Sequence, residues 1–145
     1  MVSEFQHFID AQRAVFETAL QELRAGQKQS HWMWFIFPQL DGLGRSAMAR
    51  RFAIQDLDQA SRYLQHPVLG PRLVQAAQTA QAALQAGTSL LRLFGSIDSQ
   101  KFISCMTLFG AAAGEDSVFA QLLRRLQASD GKTLEMLGMQ PSPGG

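Results

Sequence analysis

The chain has 145 residues, of which 46% are hydrophobic and 17% charged. That is too apolar for a disordered segment and long enough to bury about two thirds of its unfolded surface in one core. Thirteen basic and twelve acidic side chains leave a formal net charge of +1, which argues against nucleic acid and an anionic membrane surface as partners. One cysteine, Cys105, excludes an internal disulfide and a cysteine-based zinc site, and fits a reducing compartment.

From the N-terminus, Met1-Val2-Ser3-Glu4-Phe5 lacks a basic stretch followed by an apolar run, so no secretory signal is expected. The spacing of Phe5, Phe8, Ile9, Phe16, Leu20 and Leu23 predicts one amphipathic helix over Ser3 to Arg24. Ser3 and Gln6 have capping-box spacing, and Gly26 is suited to end the helix. The aromatic run His31 to Phe37 has no clear period, and its richest apolar stretch falls far short of the roughly 20 residues a membrane helix needs. With no strand elsewhere to pair with, it reads as a short buried helix that Ser30 caps and Pro38 ends. Asp41-Gly42-Leu43-Gly44 is a loop.

Helical pattern resumes over Ala47 to Phe52 and again over Asp56 to Gln65, before His66-Pro67 interrupts it. Gly70-Pro71 opens a helix over Arg72 to Ala86, whose stripe of Leu73, Ala76, Ala77, Ala80 and Leu84 allows close packing. A short apolar turn through Leu90, Leu91 and Phe94 reaches Gly95, and a buried helix follows over Asp98 to Ala113. Two more short helices, Ser117 to Ala128 and Lys132 to Leu137, precede a flexible tail. The fold class is therefore all-α. A single helical domain of six to eight short and medium helices is expected over residues 1–140, with a tail at 141–145.

Few constellations suggest chemistry. Two tryptophans, two phenylalanines and a histidine within His31 to Phe37 either fill the core, the commoner outcome, or line a cleft that stacks a flat ligand. In the second case Gly42 and Gly44 would admit a phosphate near backbone N–H groups, although Gly-Leu-Gly is too short for a dinucleotide or phosphate-loop motif. Asp98, Lys101 and Ser104 lie along one edge of the buried helix, with Lys101 at the border of its apolar arc. There the lysine snorkels or pairs with an acid such as Asp98, the commoner outcome, or, where desolvated, serves as a base, a nucleophile or an anion clamp. Arg45, Arg50 and Arg51, with Lys28, bracket the aromatic run and form either a solvated face or a source of phosphate contacts. Cys105 points into the apolar arc and reads as a small hydrophobe. His7, His31 and His66 lack ligand spacing, so no metal is expected, and no cofactor is implied.

Taken together, Ser30-His31-Trp32-Met33-Trp34-Phe35-Ile36-Phe37-Pro38-Gln39 and Gly42-Leu43-Gly44-Arg45-Ser46 resemble the hallmark of the bacterial domain-of-unknown-function 1810 family. The likeness continues through Tyr63 to Leu73 and Phe94 to Phe109. Ile97 stands where that pattern suggests proline, and Ser99-Gln100 where it suggests a more acidic pair. The resemblance implies a compact all-α fold and no established activity. Some relatives have been labelled calpastatin, but that inhibitor is a flexible chain, unlike the packed periodicity seen here.

The reading that follows is a cytoplasmic protein that binds, with or without turnover, a small anionic or nucleotide-derived ligand. The expected site combines His31, Trp34, Gln39, Gly42, Gly44, Arg45, Asp98 and Lys101 in one cleft. The alternatives are a protein-interaction module using exposed aromatics and a single-stranded nucleic-acid binder.

Overall fold

The computed structural model describes residues 4–139, so Ser3 of the expected capping box and the expected tail at 141–145 lie outside the described residues. Among the described residues there are nine helices, one more than the expected range, and the only strand-like feature is an isolated bridge between Leu40 and Ile54.

The helix expected over Ser3 to Arg24 is two helices, α1 (Gln6–Arg13) and α2 (Phe16–Arg24). At the join the β-branched Val15 leaves helical geometry, and its N–H bonds to the Gln12 carbonyl at 3.1 Å. The buried face continues from Phe8 and Gln12 to Phe16, Leu20 and Leu23, so the periodicity runs across a break that it does not reveal. Gly26 closes α2 as expected: its N–H reaches Leu23 and that of Gln27 reaches Glu22, each at 3.1 Å.

The aromatic run forms the single turn α3 (Met33–Ile36). Ser30 does not cap it. Trp32 occupies the cap position with no side-chain bond, and Ser30, two residues earlier, donates its hydroxyl to Glu22. Phe37 leaves helical geometry just before Pro38, as the proline requires.

Five of the following helices, including the longest, described below, begin with the oxygen of a Ser or Asp accepting a backbone N–H. Ser46 caps α4 (Ala47–Arg51), Asp56 caps α5 (Leu57–Gln65), Ser117 caps α8 (Val118–Leu126) and Asp130 caps α9 (Gly131–Met136). Between them, α6 (Leu69–Gln85) starts earlier than expected, taking Gly70 and Pro71 into its first turn. Gly70 is there for space, since a Cβ would come within 2.0 Å of the Leu64 carbonyl oxygen of α5. Helix α7 (Leu90–Ala113), capped by Ser89, is two helical pieces joined at Gly95, where φ is 80° and ψ 171°.

Helix α7 runs through the centre, packing against α5, α8 and α9, while α6 is flanked by α2, α5 and α8. Phe102, Cys105, Met106, Leu108 and Phe109 of α7 join Phe8, Trp32, Phe37, Tyr63 and Phe119 in one hydrophobic cluster. Inside it, the buried Gln12 amide donates to the Phe35 carbonyl at 2.6 Å and the Tyr63 hydroxyl at 3.1 Å, and accepts from Arg72 at 3.4 Å. These bonds fix α3 against α1, α5 and α6. Among the described residues no buried side-chain nitrogen or oxygen lacks a partner. No helix there is long and apolar enough to cross a membrane.

Candidate functional site

The Gly26 turn sends the chain back over the last turns of α2, where Glu22 receives it. The Glu22 carboxylate accepts from the N–H of Gln29 at 2.7 Å and that of Ser30 at 2.9 Å. It also accepts from the Ser30 hydroxyl at 2.5 Å and the Trp32 indole N–H at 2.9 Å. Burial alone would raise this carboxyl, but the donors from Ser30, Gln29 and Trp32 outweigh it and hold the group at about 2. A second tie comes from Lys28, whose backbone N–H bonds to the Leu93 carbonyl at 2.7 Å, just before the α7 break. The loop from 28 to 32 is thereby set against both α2 and α7.

Behind this loop the aromatic residues grip α7 on both sides of Gly95. Phe37 meets Phe94 edge-on at 6.0 Å and Phe102 at 5.0 Å, and Phe94 stacks on Phe102 at 4.7 Å. The break at Gly95 separates Phe94 from the restarted helix. It leaves a cleft of about 400 Å³ lined by Lys28, His31, Met33, Trp34, Phe94, Gly95, Ser96, Ile97, Asp98 and Lys101. This volume is within the range of small-molecule pockets.

Charge in the cleft centres on Asp98. Its carboxylate lies 3.0 Å from the Lys28 ammonium and 3.4 Å from that of Lys101. Each lysine also lies over an indole at 5.1 Å, Lys28 on Trp32 and Lys101 on Trp34. With two ammonium groups and one carboxylate, these three side chains carry one net positive charge. The first turn after Gly95 adds the positive end of a helix dipole on the same wall. His31 is exposed where it lines the cleft, and Ile97, 74% exposed, adds an apolar side chain there.

Half of the expected site is thus assembled: His31, Trp34, Asp98 and Lys101 line one cleft. Gln39, Gly42, Gly44 and Arg45 do not line it. After Pro38 the chain runs beside Ile54, whose N–H bonds to the Gln39 carbonyl at 2.9 Å and whose carbonyl accepts from Asp41 at 2.8 Å. That pairing carries the glycine loop toward α9. Gly42 makes its turn with φ 98° close to Met136, while Gly44 has no positive φ and instead makes room for Ala49. Arg45, Arg50 and Arg51 are exposed, and Arg51 packs on the Phe52 ring at 5.6 Å. Of the basic residues that bracket the aromatic run, Lys28 alone reaches the cleft.

Most of the aromatic run is core: Trp32, Phe35 and Phe37 are buried, and Trp34 is the one ring of the four that is partly exposed. Burial pushes the Cys105 thiol well up, which fits a packing role. Among the described residues no group of three or more His, Cys, Asp or Glu could hold a metal ion. Glu22 and the role of Lys28 were not identified from sequence. The available signal was positional: an acid one turn before a glycine stop, followed by polar donors on the returning chain.

Comparison with known proteins gives a family and a fold. The family described as "Protein of unknown function (DUF1810)" matches residues 2–137. The structure is similar to the crystal structure of the conserved hypothetical protein Rv1873 from Mycobacterium tuberculosis, at a TM-score of 0.89 and 40% sequence identity. That match covers 94% of this chain and 98% of the other. No curated protein matches the chain in sequence.

Proposed function

The chain belongs to the family of unknown function DUF1810, and from the cleft that its fold builds we propose that it binds a small anionic ligand between residues 28–34 and the α7 break. The observation that carries this reading is the meeting of Lys28, His31, Trp34, Asp98 and Lys101, distant in sequence, around one cavity of about 400 Å³. Ammonium groups and a helix start supply the charge complement for a phosphate or carboxylate. Met33, Trp34, Phe94 and Ile97 supply apolar surface for the group that bears it. Nucleotide derivatives and sugar phosphates are the classes of this size that combine the two. The lone, buried cysteine supports a reducing compartment, the cytoplasm in our reading.

A thermal-shift screen with nucleotides, ADP-ribose, sugar phosphates and inorganic anions tests the proposal. Ligand that binds only the folded state raises the midpoint by an amount that grows with the logarithm of its concentration relative to Kd. We expect at least one phosphorylated compound to stabilise the wild type and not Lys101→Met. A panel that stabilises neither protein, or both equally, would rule the reading out.

A further inference from the structure

Building on that reading of the cleft, we propose that Asp98 is a resident competitor for Lys101, so that the cleft selects doubly charged phosphate monoesters over singly charged carboxylates and sulfates.

The two lysines are not equivalent. The Lys28 side chain is 9% exposed, and its ammonium donates to the Ser30 carbonyl at 2.7 Å besides pairing with Asp98 at 3.0 Å. Lys101 is 25% exposed and meets Asp98 only at 3.4 Å. Its ammonium makes no hydrogen bond among the described residues and lies over the Trp34 face. An ammonium has three N–H donors, so Lys101 retains donor capacity that Lys28 has largely used. Asp98 therefore belongs to Lys28 and merely occupies Lys101.

This arrangement sets the charge that a ligand needs. A singly charged anion that replaces Asp98 at Lys101 exchanges one such contact for another, with little gain. A phosphate monoester above its second pKa of about 6 brings an additional charge. It enters a cluster whose three side chains carry one net positive charge, and the extra attraction favours displacement. The apolar side chains of the cleft accept its organic group.

Phenyl phosphate and phenyl sulfate have the same shape and differ in charge, and they are titrated by calorimetry at about pH 8 and low salt, where the phosphate carries both charges. Wild type should bind phenyl phosphate roughly tenfold tighter than phenyl sulfate. Asp98→Asn should bind phenyl sulfate roughly tenfold tighter than wild type does, which narrows the ratio, and Lys101→Met should bind neither. Comparable affinity of wild type for the two compounds would overturn the proposal, and this comparison needs no variant to fold. So would a folded Asp98→Asn, judged by circular dichroism, that binds phenyl sulfate no better. If neither compound binds wild type or Asp98→Asn, the anion-site reading falls as well; if wild type binds both alike, only the role of Asp98 falls.

Discussion

The Glu22 carboxylate accepts four hydrogen bonds from residues 29–32, so neutralising it should loosen the loop that carries Lys28 and His31. Glu22→Gln is expected to lower stability in urea unfolding by about 2 kcal/mol, the scale of bonds to a charged acceptor. The sign of its pH dependence follows from the depressed carboxyl. Glu22 stands at about 2 in the fold and 4.5 in an unstructured chain. Its contribution is therefore complete above pH 4.5 and is lost as pH falls toward 2. Melting temperatures measured across that window should fall less steeply in Glu22→Gln than in wild type. The lysines should separate in the same way as their environments. Lys28→Met removes a nearly buried ion pair and should cost about 2–3 kcal/mol, whereas Lys101→Met should cost less than about 1 kcal/mol.

At the scale of elements, Gly95 and Gly70 serve different purposes that one substitution can distinguish. Gly95 has φ 80° and ψ 171° with open space around a would-be Cβ, so Gly95→Ala should cost about 1–3 kcal/mol through backbone strain alone. It should also weaken anion binding, because the break it enables shapes one wall of the cleft. In Gly70→Ala the new carbon meets the Leu64 carbonyl, and separating α5 from α6 should cost about 3 kcal/mol while leaving the affinity of the folded protein unchanged. Urea unfolding together with calorimetry checks both pairs of values. The helices were readable because apolar spacing reports the buried face directly, whereas Asp56 and Ser117, read as the first residues of their helices, are caps that stand just outside them. The break at Val15 was not readable, since α1 and α2 bury the same face. Gly95 was readable as punctuation, though its opening onto a cleft was not.

At the scale of the molecule, the cleft exists because a short aromatic turn is held on the central helix by contacts far apart in sequence. Sequence proximity placed Lys28 with the arginines of α4, but the fold gives it to Asp98. Likewise Gln39, Gly42, Gly44 and Arg45 adjoin the aromatic run in the chain and leave it in space, because the bridge of Leu40 to Ile54 redirects the backbone. The grouping of His31 and Trp34 with Asp98 and Lys101 was legible as chemistry in search of a common cavity. The loop that brings them together is held in part by Glu22, which belongs to no motif. The central claim, that an anion binds where residues 28–34 face the restarted α7, is tested most directly by ¹H–¹⁵N correlation spectra recorded during titration with phenyl phosphate. Saturable shifts should be concentrated at Lys28, His31, Trp34 and the backbone from Gly95 to Lys101, with α6 unchanged. No saturable shift at these positions, or shifts centred instead on Arg45 to Arg51, would contradict it.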